Sequence, residues 1–453
     1  MENSFYHPLG TGQYGHHLLF GGVPDKTINN IVSRVNFHTV VDEDAFVRAL
    51  YYSVKNLPFC RLRLHEKEDG ELVQYLSDEE PHDIEIEDFT HLSEEEIDAE
   101  VKKWCKQAFD NDCLDVQLFM MRIMRMPEGK HSFFLRAHHI IMDSYGIMTL
   151  VRYLDKTYSA ILTGKELPKP GILPWKVIEQ DWEYCESKRY EEDKAWWRKQ
   201  FEPEPHFASP NPVGSPEYIA GKNYGRGQTL EQLAGTILFR RFPKAFVDSI
   251  NKAATEKHIS AQLFFFLGLR SFLGHMSETD DVTINTMAAR RSTLLQKQCG
   301  LSRVNDVPFR SVIPERVSFD KALEMLDLAQ KELYRHVNVF IPEITEIRNE
   351  MHDTPLGCTY CTTDFTYQPY FDLETTNLEF DVHPVATGMA WPALYMIIQP
   401  QDNSGDLWAA YNHSIDYVSD EQIDKLHRFV LNFVSDGIKN GEESIADLIA
   451  RNL

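Results

Sequence analysis

The sequence predicts an α/β protein of two halves, each a mixed sheet with flanking helices. Three observations carry that expectation. A chain of 453 residues is too long for one ordinary core and suits two domains of similar size. Strand-type alternation and helix-type spacing of apolar residues interleave from end to end. Between two runs of the same scheme lies a Pro- and Gly-rich stretch, Glu202 to Gly227, read as a crossing loop. The division expected is 1–174, a bridge over 175–227, and 228–453.

In the first half, Ile31 to Val40 is strand-like, and Asp42 is placed to cap a helix from Ala45 to Lys55. Phe59 to Leu64 and Glu71 to Leu76 read as strands joined through an Asp69-Gly70 turn. Ser93 with Glu96 forms a capping box that opens a helix running to Phe109. Val116 to Met126 and Ser132 to His138 form an antiparallel pair across Pro127 to Lys130, and Ile147 to Leu162 is a helix. Pro168 to Pro174 is a linker by composition, and Trp175 to Phe201 reads as one aromatic-rich helix.

The second half starts with strand Thr236 to Phe242, helix Pro243 to Lys257 and the strongly apolar helix Ile259 to Gly274. Val282 to Met287 is a buried type of strand, and Phe319 to His336 is a helix behind Ser318. Thr359 to Tyr367, Ala393 to Gln399 and Leu407 to Asn412 are strands, the last two joined across Asp402-Asn403-Ser404-Gly405. A second capping box at Ser419 and Gln422 opens a final helix to Ile438.

Charge restricts the partners. With 46 basic against 69 acidic residues the formal balance is −23, which argues against nucleic acid and against anionic membranes. The seven cysteines are scattered and odd in number, so a disulfide framework is not expected, and the cytoplasm is the expected compartment. The first 22 residues show no basic leader or continuous apolar core, so no signal peptide is expected, and no stretch is apolar enough to span a membrane. No Gly-rich phosphate loop is present. Cys358 and Cys361 have CxxC spacing but stand alone in an expected strand, so ordinary core packing is the better reading.

The chemistry concentrates in His131 to Leu150, HSFFLRAHHIIMDSYGIMTL. Adjacent residues on an extended chain face opposite ways, so His138 and His139 cannot both serve one cavity. That split, with no further ligand cluster nearby, disfavours a metal site. Asp143 could either orient an imidazole or lock the bend through a buried ion pair. A histidine so held has a pKa near working pH and can accept a proton from a weak nucleophile.

HHIIMDS resembles the HHxxxDG signature of the condensation domains of nonribosomal peptide synthetases and their relatives, which include chloramphenicol acetyltransferase. Further blocks follow in the family's order. Trp182 and Asp193-Lys194-Ala195-Trp196-Trp197 resemble the block after the motif, and Thr283 to Arg310 resembles the stretch where an arginine precedes an IGxFVNT-like segment. Arg335-His336 through Glu343 is similar to the HQxxPFE helix end, and Thr354 to Tyr367 resembles the later strand block. Two departures stand out: Ser144 replaces the motif glycine, and Ser302-Arg303 replaces an aromatic neighbour.

The resemblance implies two chloramphenicol-acetyltransferase-like halves forming a V with a central tunnel, and an amide-forming acyltransferase. It assigns catalysis to His139 and a structural role to His138. It implies that Asp143 binds an arginine, Arg290 being the better match and Arg291 the alternative, with Ser144 and Gly146 supporting the site. Asn305 and Asp364 are expected along the tunnel. No cofactor is expected on the domain itself. Substrates would come on the phosphopantetheine of donor and acceptor carrier proteins, or as acyl-CoA to a free-standing N- or O-acyltransferase, and the chain is expected to be a monomer. A reading of another class is an inactive, carrier-recruiting domain.

Overall fold

The computed structural model describes residues 5–211, 215–229, 232–368, 378–383, 385–402 and 404–453. The chain clusters into two compact units. The first comprises residues 1–190, 289–305 and 371–387, and the second 191–288, 306–370 and 388–453. The contact pattern therefore returns two segments of the C-terminal part of the chain to the first unit.

The first unit is built on a five-stranded mixed sheet in the order Phe380–His383, Asn30–Phe37, His131–His138, Phe119–Arg125, Ile84–Asp88. Its central strand, His131–His138, is antiparallel to both neighbours. Strand alternation sorts its side chains into two cores. Phe133, Leu135 and Ala137 join Met121, Ile123, Phe46 and Leu50 in one cluster. Phe134 joins Met120, Met124 and the Ile97, Val101 face of helix Glu94–Cys105 in the other. The sheet is thus covered on both faces, and the chain leaves its middle strand at His138. Leu62–Glu66 and Leu72–Leu76 form the expected hairpin, with Gly70 at φ 84° in its turn.

The second unit carries a six-stranded sheet in the order Asn305–Val312, Asp281–Ala288, Thr363–Tyr367, Leu394–Gln399, Leu407–Ser414, Gly235–Phe242. Helix Gln262–Met276 lies on one face, where the Phe266 ring stacks on Phe309 at 4.6 Å and meets Phe365 edge-on at 5.6 Å. The Asp402 to Gly405 turn includes residue 403, outside the described residues, as are 212–214 of the crossing loop.

Several boundaries differ from expectation. The stretch Trp175 to Phe201 forms two helices, Trp175–Cys185 and Lys188–Phe201, because the Ser187 hydroxyl donates to the Tyr184 carbonyl at 2.7 Å and accepts the Tyr190 amide at 3.2 Å, capping a new helix. Helix Glu94–Cys105 stops short of Phe109, and Phe319–Leu333 stops short of His336. Strand Asn305–Val312 is not among the expected elements; it lies at the sheet edge, where the missing N–H of Pro308 is tolerated. Ile84–Asp88, Thr11–Phe20, Ile341–His352 and Ile445–Asn452 also lie beyond the expected elements. No helix among the described residues is long and apolar enough to cross a membrane, and all seven cysteines are free.

Candidate active site

The site begins where the central strand ends. His138 continues the buried strand face and is 5% exposed. Its Nδ1 accepts the Ile140 amide at 3.1 Å, so the neutral ring carries its proton on Nε2. Burial pushes its pKa down to about 3, with His139 adding to the effect. The ring thus bonds the backbone of its own turn.

His139 has a different environment. Its amide donates to the Asn29 carbonyl at 2.7 Å, which ties the turn to the neighbouring strand. Nδ1 is buried and meets no other described residue, leaving the ring's own backbone carbonyl as the acceptor that favours protonation. Burial lowers its pKa from the usual histidine value, while Asp143 opposes that shift. The ring is therefore neutral at pH 7, the form that can accept a proton.

His16, on helix Thr11–Phe20, stacks on His139 with centroids 5.1 Å apart and planes at 20°. Its Nε2 is 2.9 Å from Asn29 Oδ1, which sets its tautomer and plane. Burial, then His139 and His138, hold its pKa well below the ordinary value. His16 is absent from the residues expected at the site. The available signal was a second histidine pair, His16-His17, in a glycine-rich run.

Asp143 is the N-cap of helix Ser144–Thr163 and only 3% exposed. Oδ1 accepts the Gly146 amide at 3.0 Å and Arg291 Nη2 at 3.0 Å. Oδ2 accepts the amides of Arg303 at 3.0 Å and Val304 at 3.2 Å and faces Arg291 Nη1 at 2.9 Å. Five donors occupy the carboxylate and tie the bend to Arg291 and the 303–304 backbone.

The ion-pair partner is Arg291, which corrects the assignment to Arg290. Arg290 sits at φ 52°, a left-handed kink that separates the two side chains. Arg291 goes to Asp143 and lies over the Tyr145 ring at 4.5 Å. Arg290 goes instead to Asp181 at 3.4 Å, Thr11 Oγ1 at 2.9 Å and Asn305 Oδ1 at 3.4 Å. The unexpected Arg303 forks onto Asp181 at 2.9 and 3.0 Å, so a charge placed at an aromatic position of the motif finds a built partner.

Ser144 is the first helical residue and is absent from the left-handed positions, so the backbone there makes no demand for glycine. Gly146 does meet such a demand: a Cβ on it would lie 2.2 Å from the Gly300 carbonyl oxygen. Gly300 in turn backs onto the Phe59 ring, 2.2 Å from its own would-be Cβ. Asn305 is buried beside Arg290, whereas Asp364 belongs to the second unit, where Asn285 donates to it at 3.0 Å.

The family model for the condensation domain matches residues 8–448. The chain belongs to the condensation-domain family. This is a family of amide-bond-forming acyltransferases. Surfactin synthase subunit 1 of Bacillus subtilis is 23% identical over 459 residues, covering 99% of this chain and 12% of that protein. Tyrocidine synthase 3 of Brevibacillus parabrevis is 21% identical over 389 residues, 85% of this chain and 6% of that protein. The chain thus spans only a small part of the length of these curated relatives.

Among solved structures, the first condensation domain of the calcium-dependent antibiotic synthetase, bound to a substrate analogue, superposes with a TM-score of 0.82 at 18% identity. The match covers 98% of this chain and 99% of that one. VibH, a condensation enzyme, superposes with a TM-score of 0.73 at 17% identity over 97% of this condensation domain and 98% of VibH. These likenesses confirm the two-half acetyltransferase-like fold.

Proposed function

We propose that this condensation domain joins an acyl or aminoacyl thioester, delivered on the phosphopantetheine of a donor carrier protein, to an amine on an acceptor carrier. The observation that carries the reading is His139, half-buried just past the end of the central strand, in a turn fixed by Asp143 and Arg291. The amine attacks the thioester carbonyl, a C–N bond forms, and the C–S bond breaks to release the thiol. His139 positions the amine and accepts its proton as the tetrahedral species forms. His138, Ser144, Gly146 and the Arg290 cluster support that geometry. With carriers as partners and no membrane-crossing helix among the described residues, the setting proposed is cytoplasmic.

A carrier-free reaction with acyl-CoA is the second reading, favoured by the fold match to a starter condensation domain of rhizomide synthetase solved with C8-CoA, TM-score 0.79 at 17% identity. One experiment separates the two. Donor and acceptor carriers are loaded, mixed with the protein and followed by intact mass, beside a reaction in which acyl-CoA replaces the donor carrier. The expected result is a mass gain on the acceptor carrier that requires the loaded donor. A gain from acyl-CoA alone supports the second reading. Carrier binding without transfer from either donor would make the chain a recruiting domain.

A further inference from the structure

A catalytic base is commonly aimed by a hydrogen bond from its far nitrogen to a third group. For His139 the nearest carboxylate, Asp143, is occupied by the amides of Gly146, Arg303 and Val304 and by Arg291. His139 Nδ1 is shielded from solvent and bonds to no other described residue. The torsion that turns an imidazole on its Cβ is broad and two-fold, so packing must set the plane of this ring.

Helix Thr11–Phe20, in the same unit, supplies that packing. Gln13 and His16 are three residues apart, hence on one face of the helix, and meet the turn at successive residues. Gln13 Nε2 donates to the Ile140 carbonyl at 3.1 Å, and the His16 ring stacks on His139 with centroids 5.1 Å apart and planes at 20°. Gln13 is itself locked to Gln74 through both ends of its amide, at 2.9 Å each. The plane of His16 is fixed in turn. Its Nε2 is 2.9 Å from Asn29 Oδ1, the Phe20 ring lies 4.9 Å away, and the His138 ring meets it edge-on at 6.0 Å. Asn29 is 4% exposed and closes the short turn Lys26–Asn29, where Asp25 accepts the Thr27 amide at 3.0 Å. The chain then enters strand Asn30–Phe37, paired with His131–His138. The Asn29 carbonyl accepts the His139 amide at 2.7 Å, so one residue holds both histidines, His139 by backbone and His16 by side chain.

We propose that His16 is a positioning residue for the acyl transfer, keeping the His139 ring in one plane by stacking on it while Asn29 keeps His16 in place. The inference rests on the proposed role of His139 and adds the residue that aims it. With Nδ1 shielded, Nε2 is the nitrogen left to meet the amine. A ring free to turn presents that nitrogen in the reactive direction only part of the time, and the rate falls with that fraction.

The test reads the motion of the His139 ring by NMR relaxation in the full chain labelled with 13C-histidine, with His139→Ala identifying the resonances. The ring of the unmodified chain should be as ordered as rigid backbone, with an order parameter of about 0.85, and should drop below about 0.6 in His16→Ala. His16→Leu, which fills most of the space without a flat ring, should loosen it as well and serves if the alanine variant does not fold. His16→Phe, which keeps an aromatic face over His139, should restore the order. Single-turnover transfer between loaded carriers should fall about tenfold in His16→Ala and His16→Leu with carrier binding unchanged, and return in His16→Phe; a misplacement of about 1 Å can cost up to about 10²-fold. A ring that stays ordered in the alanine and leucine variants, an unchanged rate in both, or a phenylalanine variant no better than leucine would overturn the assignment. Full rate in His139→Ala would instead sink the role of His139 on which the assignment rests.

Discussion

His139→Ala should lower the rate of carrier-to-carrier amide formation by about 10²–10⁴-fold, the range for loss of a positioned general base. Binding of loaded carriers should persist. The fold should also persist, because the His139 ring bonds to no other described residue and its removal leaves no buried partner unsatisfied. A stability loss of about 1 kcal/mol is expected from the lost contact with His16, within the usual range for a single substitution. Single-turnover intact-mass kinetics beside thermal unfolding separate the two effects. Full activity in this variant would remove His139 from the mechanism, and a large loss of stability would make it framework.

Asp143→Ala is expected to reverse that pattern. It leaves the Arg291 guanidinium buried, 2% exposed as a side chain, without its counter-ion. Breaking a buried pair from one side costs about 3–5 kcal/mol. The amides of Gly146, Arg303 and Val304 lose their acceptor at the same time. Chemical denaturation should therefore show a large destabilisation, with activity falling because the turn that carries His139 is no longer fixed. A proton relay would give the opposite result, activity lost with stability unchanged.

Much of this was legible because the sequence devices are local. The capping boxes at Ser93 and Ser419 form as read, and Asp42 caps its helix. The choice between Arg290 and Arg291 was not legible, since it depends on a left-handed residue in a loop whose neighbours alone hold it there. His16 was hidden for a related reason: its role comes from a stacking contact across more than a hundred residues, with no spacing rule to announce it. The Ser144 departure draws attention to the wrong position. Backbone crowding in the motif falls on Gly146, against the Gly300 carbonyl, and only the packed structure shows that contact.

The central claim, a neutral His139 held ready to accept a proton, is tested most directly by titrating the imidazole nitrogens of the 15N-histidine-labelled chain by NMR. His139→Ala identifies the resonance. The ring should titrate below the ordinary histidine value of 6.5, since burial opposes its charge. In Asp143→Asn its pKa should fall further, because the carboxylate that favours the charged form is gone. A His139 that titrates above 6.5, or one whose pKa rises in Asp143→Asn, would contradict the account.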